Sequence, residues 1–281
     1  MTALSGQLAA AFKNACLAEL EALKPGNVHI FADGHGMVVQ DFIRSADAAS
    51  AEIARPHLSV GARILNSVEA TWQAVCCNTN LGIVLLCAPL IHAALERETR
   101  ESFAESLERV LRGLTVEDAV LAYAAIARAA PAGLGESARH DVRAQPHVTL
   151  LEAMAEATPR DRIAAQYVSR YADVHRGARV YEAACRKWGW TGWATTAVYL
   201  EFLTSFADTH LVRKFGMATA EEVREEATRH RDALLALENP KQYQRPLLDF
   251  DHALKARGCN PGTSADLTVA SLLMTELEKR G

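Results

Sequence analysis

The sequence predicts an all-α fold, on three observations: apolar residues recur every three to four positions in segment after segment, strand-like alternation is scarce, and alanine, leucine, glutamate and arginine dominate. In the first segment Leu8, Phe12, Ala15, Leu20 and Leu23 share one helical face, and Pro25-Gly26 must stop that helix. The same period predicts helices over 41–53, 60–75, 83–95 and 103–111, then over 116–129 with Thr115 as its cap. Residues 81–95 form the longest apolar run. It contains Pro89 and His92 and is shorter than the roughly 20 residues of a membrane span, so it reads as a buried core helix.

The one long irregular stretch, 131–147 with Gly133, Gly135 and Pro146, is either a functional or mobile loop or a domain linker. Helical patterning resumes over 149–157, 160–171, 174–188, 193–213, 219–237, 246–256 and 264–279. Composition does not change across the irregular stretch, so a single domain over 1–281 is the preferred organisation. Trp188, Trp190 and Trp193, with Gly189 and Gly192, form an aromatic turn expected in the core rather than stacked on a base.

With 281 residues, 49% hydrophobic and 23% charged, the chain is too apolar and too weakly charged for disorder. A net charge of −4 without a run of Lys and Arg argues against a nucleic-acid partner. The cysteines, Cys16, Cys76, Cys77, Cys87, Cys185 and Cys259, lie mostly in apolar stretches without a Cys-x-x-Cys pair, as expected of small buried hydrophobes in a reducing compartment. Residues 1–11 show no basic start followed by an apolar block. The expectations are a cytoplasmic protein, no membrane partner, and an oligomeric state left open, since no heptad seam marks an interface.

No phosphate-binding Gly-x-x-x-x-Gly-Lys loop, dinucleotide Gly-x-Gly-x-x-Gly or His-Glu-x-x-His pair occurs. Four polar junctions between helices remain as candidates. At the first, Lys24 and His29 either cap a helix end or contact a ligand phosphate. At the second, Asn78, Thr79 and Asn80 precede Leu81-Gly82, and three short polar side chains between apolar helices suggest a ligand contact beyond capping. The third places Asp208 in an apolar helix, where a carboxylate is either paired internally with Arg213 or bound to a cation such as Mg²⁺. At the fourth, Asn260-Pro261-Gly262 runs into Thr263-Ser264-Ala265-Asp266, read as an N-cap with Asp266 at the third helical position or as an anion or Mg²⁺ site. His140, Asp141 and Arg143 in the long loop are expected to be solvated, though a loop of that length can close over a ligand.

Taken together, Lys-Pro-Gly-Asn-Val at 24–28, Asn-Thr-x-x-Gly at 78–82, Asp-Thr-x-Leu-Val-x-Lys at 208–214 and Asn-Pro-Gly-x-Ser-Ala-Asp-Leu at 260–267 resemble the triphosphoribosyl-dephospho-CoA synthase family, in order and spacing, from about residue 15 to 273. The resemblance implies an all-helical cytoplasmic transferase that joins ATP to 3'-dephospho-CoA and releases adenine, with Mg²⁺ carrying the triphosphate. It implies Asp208 and Asp266 as metal-holding or charge-opposing carboxylates and Glu69 as a third catalytic residue. Lys24, His29, Arg213 and Ser264 would contact phosphates, Asn78, Thr79 and Asn80 would orient sugar or phosphate oxygens, and Asn260 would position its own junction.

Two departures stand out. The family's Asn-Thr-His-Lys-Gly is Asn-Thr-Asn-Leu-Gly here, so Asn80 and Leu81 replace a possible proton donor and a cation. The family's Gly-Ala-His-x-Asp-Met-Asp stretch aligns with Asp33-Gly34-His35-Gly36-Met37-Val38, where both aspartates are missing. The altered form resembles a divergent branch in archaea and methylotrophic bacteria associated with tetrahydromethanopterin or methanofuran biosynthesis. That leaves two alternatives: a related transferase of one-carbon coenzyme synthesis, and a nucleotide-binding protein that has lost the chemistry.

Overall fold

The computed structural model describes residues 2–131, 141–189 and 192–279, and among these it contains fourteen α-helices, one short 3-10 turn and no strand beyond isolated bridges. The chain forms two compact units, one from residues 1–14, 41–172 and 276–281 and the other from 15–40 and 173–275. No described helix is long and apolar enough to cross a membrane. His140 and Trp190 lie outside the described residues, as does most of the irregular stretch.

The first unit holds most of α1 (Ala3–Glu21), nearly all of α2 (Val39–Ile53), and α3 (Val60–Val75), α4 (Leu81–Leu95), α5 (Phe103–Arg112), α6 (Val116–Ala129), α7 (Leu150–Ala157) and α8 (Arg162–Val168). The starts of α5, α6 and α7 are fixed by reciprocal bonds between Ser102 and Glu105, Thr115 and Asp118, and Thr149 and Glu152, each pair satisfying two orphan N–H groups. Thr115 is the cap that the sequence predicts. Helices α3 and α6 come together at Gly61, where a Cβ would sit 2.6 Å from the Cα of Asp118, so no larger residue fits. The Gly61 N–H also donates to Asp118 at 2.7 Å.

Helix α4 is buried on almost every face, as its sequence demands. Pro89 inside it has no N–H, which leaves the carbonyl of Leu85, four residues back, without its helical donor. The buried hydroxyl of Tyr167 donates to that oxygen at 2.6 Å, and Tyr171 does the same for Leu86 at 2.9 Å. Tyr167 thus supplies the donor that the proline lacks.

The second unit comprises the end of α1 and then α9 (Ala172–Trp188), α10 (Gly192–Ser205), α11 (Thr209–Phe215), α12 (Met217–Leu235), α13 (Gln244–Ala256) and most of α14 (Gly262–Glu278), with the 3-10 turn Pro240–Tyr243 before α13. Its core gathers Tyr199, Leu203, Leu211, Val223, Leu247 and Leu254, with Trp188 and Trp193 packed against it.

The helix predicted over 193–213 is two helices. Asp208 takes the N–H groups of His210 and Leu211 at 2.9 and 3.3 Å, and this capping starts α11 afresh. The helix predicted over 160–171 is also shorter at both ends, because Asp161 caps it at the start while Arg170 and Tyr171 adopt left-handed backbone, φ 54° and 61°. Of the six cysteines, all free, Cys76 is exposed at the left-handed end of α3, against the expectation of burial.

Candidate functional site

The second unit brings three of the four junctions together through its own polar contacts. Beyond the end of α1 at Glu21, Pro25 and Gly26 turn the chain, and side chains meet three polar backbone atoms of that turn. Tyr199 donates to the Pro25 carbonyl at 2.7 Å, Asp251 accepts from the Gly26 N–H at 2.8 Å, and a ring nitrogen of His35 lies 2.8 Å from the Gly26 carbonyl. Gly26 has φ +85°, and a Cβ there would lie 2.9 Å from the carbonyl oxygen of Cys259, so the fit as well as the dihedral requires glycine.

This turn holds Lys24 inside the protein. Its ammonium ion-pairs with Glu19 one turn back along the chain and donates to Asn27 Oδ1 at 3.1 Å, and both ionisable partners are buried. Burial pushes the Glu19 carboxyl up and the Lys24 ammonium down, against their mutual attraction. Asn27 Nδ2 in turn donates to Asn260 Oδ1 at 2.8 Å, tying the first junction to the fourth. Asp266 is half-exposed and near enough to influence the charge of both Lys24 and Cys16. Lys24, Asn260 and Asp266, from segments far apart in sequence, therefore share one locality.

His29 lies in the interior. It is fully buried, its Nε2 3.3 Å from Asp251 Oδ1, and burial lowers its pKa below the ordinary 6.5 in spite of that carboxylate. Asp251 is itself buried and also accepts from Lys255 at 3.1 Å. It is best described as the post to which the 26–29 turn is tied.

Asp208, expected within a helix as a metal ligand, sits at a helix start and caps two helices. One oxygen accepts from the first turn of α11, and the other accepts from the N–H and hydroxyl of Ser264, both at 2.8 Å, in the first turn of α14. Because α14 begins at Gly262, Thr263 is inside the helix rather than its cap, and its Oγ1 lies 3.0 Å from Thr209 Oγ1. Ser264 thus bonds Asp208 through both its N–H and its hydroxyl. Gly262 allows the close approach of His210, whose Nδ1 would lie 2.4 Å from a Cβ there. Arg213 stands half-buried in the last turn of α11.

Among the described residues no group of three or more His, Cys, Asp or Glu side chains is placed to hold a metal ion. Asp208, with four donors on its two oxygens, has no lone pairs to spare for one. The donor set does not fit a resident Mg²⁺ held by Asp208 and Asp266.

The remaining candidates belong to the first unit. Asn78 accepts from the N–H of Leu81 at 3.1 Å, Thr79 donates to Ser45 at 2.6 Å, and Asn80 donates to Thr71 at 3.0 Å, so each has a structural task at the start of α4. Glu69 pairs with Arg128 at 3.2 Å on the surface of α3, where the guanidinium also covers Trp72. Sequence reasoning missed Glu19, Asn27, Asp251 and His35 as members of the second unit's cluster. Asn27 was signalled by the Lys-Pro-Gly-Asn motif itself, whereas Glu19 and Asp251 sit in ordinary helical pattern and carry no local signal.

No curated protein gives a significant match to the chain. Among solved structures, one from Archaeoglobus fulgidus named as a triphosphoribosyl-dephospho-CoA synthase superposes with a TM-score of 0.65, covering 83% of this chain and 97% of that one at 23% identity. It shares the fold. The family model described as CitG, ATP:dephospho-CoA triphosphoribosyl transferase, matches residues 5–281, nearly the whole length, and the chain belongs to this family of transferases.

Proposed function

We propose that the protein transfers the triphosphoribosyl group of ATP to a hydroxyl of 3'-dephospho-CoA. In that reaction the bond from the ribose anomeric carbon to adenine breaks, a bond from the same carbon to the acceptor oxygen forms, the acceptor hydroxyl loses its proton, and adenine leaves protonated. The observation that carries the reading is the convergence of Lys24, Asn27, Asn260 and Asp266, drawn from two of the family-like motifs, around one buried ion pair. As the sugar carbon loses adenine it becomes cationic, and a half-exposed carboxylate such as Asp266 opposes that charge at the moment it develops. Arg213 supplies a permanent cation for the triphosphate. Mg²⁺ enters as the counter-ion of ATP and so as part of the substrate.

A second reading is favoured at the start of α4. Asn80 and Leu81 stand where the resembled pattern has His and Lys, and both are buried, so this segment presents neither a cation nor a proton donor. A different acceptor in a related coenzyme synthesis accounts for that change.

The test is adenine release. Purified protein with ATP and Mg²⁺ should liberate adenine only when 3'-dephospho-CoA is present, and Asp266→Asn should slow release at least tenfold. ATP binding without release moves the assignment to another acceptor. Neither turnover nor growth of any product across candidate coenzyme precursors would leave a nucleotide-binding protein.

A further inference from the structure

Glu19 belongs to none of the family-like motifs, yet it lies buried against Lys24 in the centre of the cluster, and the hydrogen bonds that leave this pair have a fixed direction. A lysine ammonium has three donors and no acceptor, so the atom of Asn27 that faces it at 3.1 Å must be Oδ1. The other end of that amide, Nδ2, is only a donor, so the atom of Asn260 that faces it at 2.8 Å must be Oδ1. Asn260 is then left with its own Nδ2, on a half-exposed side chain. Amide orientation is ambiguous from shape alone; here one buried charge decides it twice over.

We infer that Glu19, Lys24 and Asn27 form a buried relay that fixes the Asn260 amide as a hydrogen-bond donor to an oxygen of the bound nucleotide. The inference deepens the proposed function and rests on its reading of the site. All three act as positioning residues. Glu19 is necessary because an unpaired buried lysine loses its proton, and the neutral amine has a lone pair. It accepts as readily as it donates, so Asn27 is then free to turn and the polarity of the chain is lost. Burial draws the Lys24 ammonium down, and the facing carboxylate of Glu19 is the nearest group that opposes this and favours the donor-only form.

The test uses the full-length protein and calorimetric binding of ATP with Mg²⁺. Asn27→Asp keeps an acceptor towards Lys24 but loses the donor towards Asn260, whose amide should then turn inward. Asn260→Ala removes the end of the relay. Each should weaken ATP about tenfold, and Asn27→Asp placed in the Asn260→Ala background should add less than twofold, because Asn27 acts only through Asn260. Multiplying losses, or wild-type binding by Asn27→Asp, overturn the relay.

Inorganic triphosphate and adenosine, titrated separately, show whether the oxygen is a phosphate's or the ribose's, according to which of them is weakened. Side-chain amide proton exchange in the wild-type protein needs neither a ligand nor a variant. Asn27 should be protected and Asn260 should exchange freely, and the reverse order overturns the relay. If the wild-type protein binds no ATP, the proposed function fails, while the exchange pattern still decides the relay.

Discussion

At Asp208 one carboxylate serves two helix starts, and the consequence is measurable. Each N-terminus concentrates partial positive charge and unpaired N–H groups, and a single anion meets both, through His210 and Leu211 on one side and Ser264 on the other. Asp208→Ala strands buried donors at two helices, and a loss of about 3 kcal/mol follows from the usual cost of one cap plus unsatisfied buried groups. Asp208→Asn should recover part of this, since one oxygen remains. Urea unfolding of the two variants checks the order. An activity loss with an unchanged midpoint would instead return Asp208 to the chemistry. The sequence showed that Asp208 was unusual, because a carboxylate amid Tyr199, Phe202, Leu203 and Phe206 needs a partner, but the partner lies 56 positions away at Ser264. Local pattern therefore supplied the residue and could not supply its task. Lys24 is the same case at shorter range: the motif pointed to it, while Glu19, in unbroken helical periodicity, gave no sign of being its counter-ion.

Among the elements, α4 separates what periodicity can and cannot reveal. A continuous apolar run identifies a buried helix, and the structure contains one. The run also contains a proline, and the replacement for its missing N–H comes from Tyr167, 82 positions from the Leu85 carbonyl that it meets, while Tyr171 bonds the next carbonyl from 85 positions away. Capping boxes were legible because cap and helix are three residues apart, as at Thr115 and Asp118. A tyrosine that mends another helix leaves no such trace. Tyr167→Phe should cost about 1–3 kcal/mol by leaving the Leu85 carbonyl bare in the core. Pro89→Ala restores a backbone donor to that same oxygen, so the double variant Tyr167→Phe/Pro89→Ala should lose less than the sum of the single changes. A double-mutant cycle of unfolding free energies measures this, and simple additivity would mean that the tyrosine hydroxyl does not replace the proline's missing bond. The merging of α10 and α11 into one predicted helix has a different origin: Phe206-Ala207-Asp208 holds neither glycine nor proline, and the break is made by Asp208 capping the N–H groups of His210 and Leu211, while its other oxygen is held by Ser264.

Over the whole molecule the family match runs through both compact units, so the activity proposed is that of the entire chain rather than of one unit. The distribution of buried and half-buried histidines across those units predicts its response to acid. His29, His92, His210 and His230 all have pKa values drawn below the ordinary 6.5, in each case chiefly by burial, which disfavours the charged ring. Above pH 6.5 both folded and unfolded chains hold them neutral and stability is unaffected. As pH falls below that value the unfolded chain takes up protons that the folded chain refuses, and stability declines until each folded-state pKa is passed. Fully buried His29 alone contributes at most about 1.4 kcal/mol per pH unit in that window. Asp118 and Asp251 extend the loss to lower pH. Burial alone would raise them, but the Gly61 and Thr115 donors at Asp118, and His29, Gly26 and Lys255 at Asp251, hold both below 3.8, so their stabilisation disappears only as they protonate. Glu19 opposes the trend, because its raised pKa favours the folded state as it gains a proton, though a single carboxyl is outnumbered by four rings. The urea midpoint should therefore be lower at about pH 5.5 than at about pH 7.5, and His29→Gln should reduce the difference by abolishing one of the refused protons. An equal or higher midpoint at the acid pH would show that these histidines are charged in the folded protein, with partners such as the Asp251 carboxylate stabilising the charged ring.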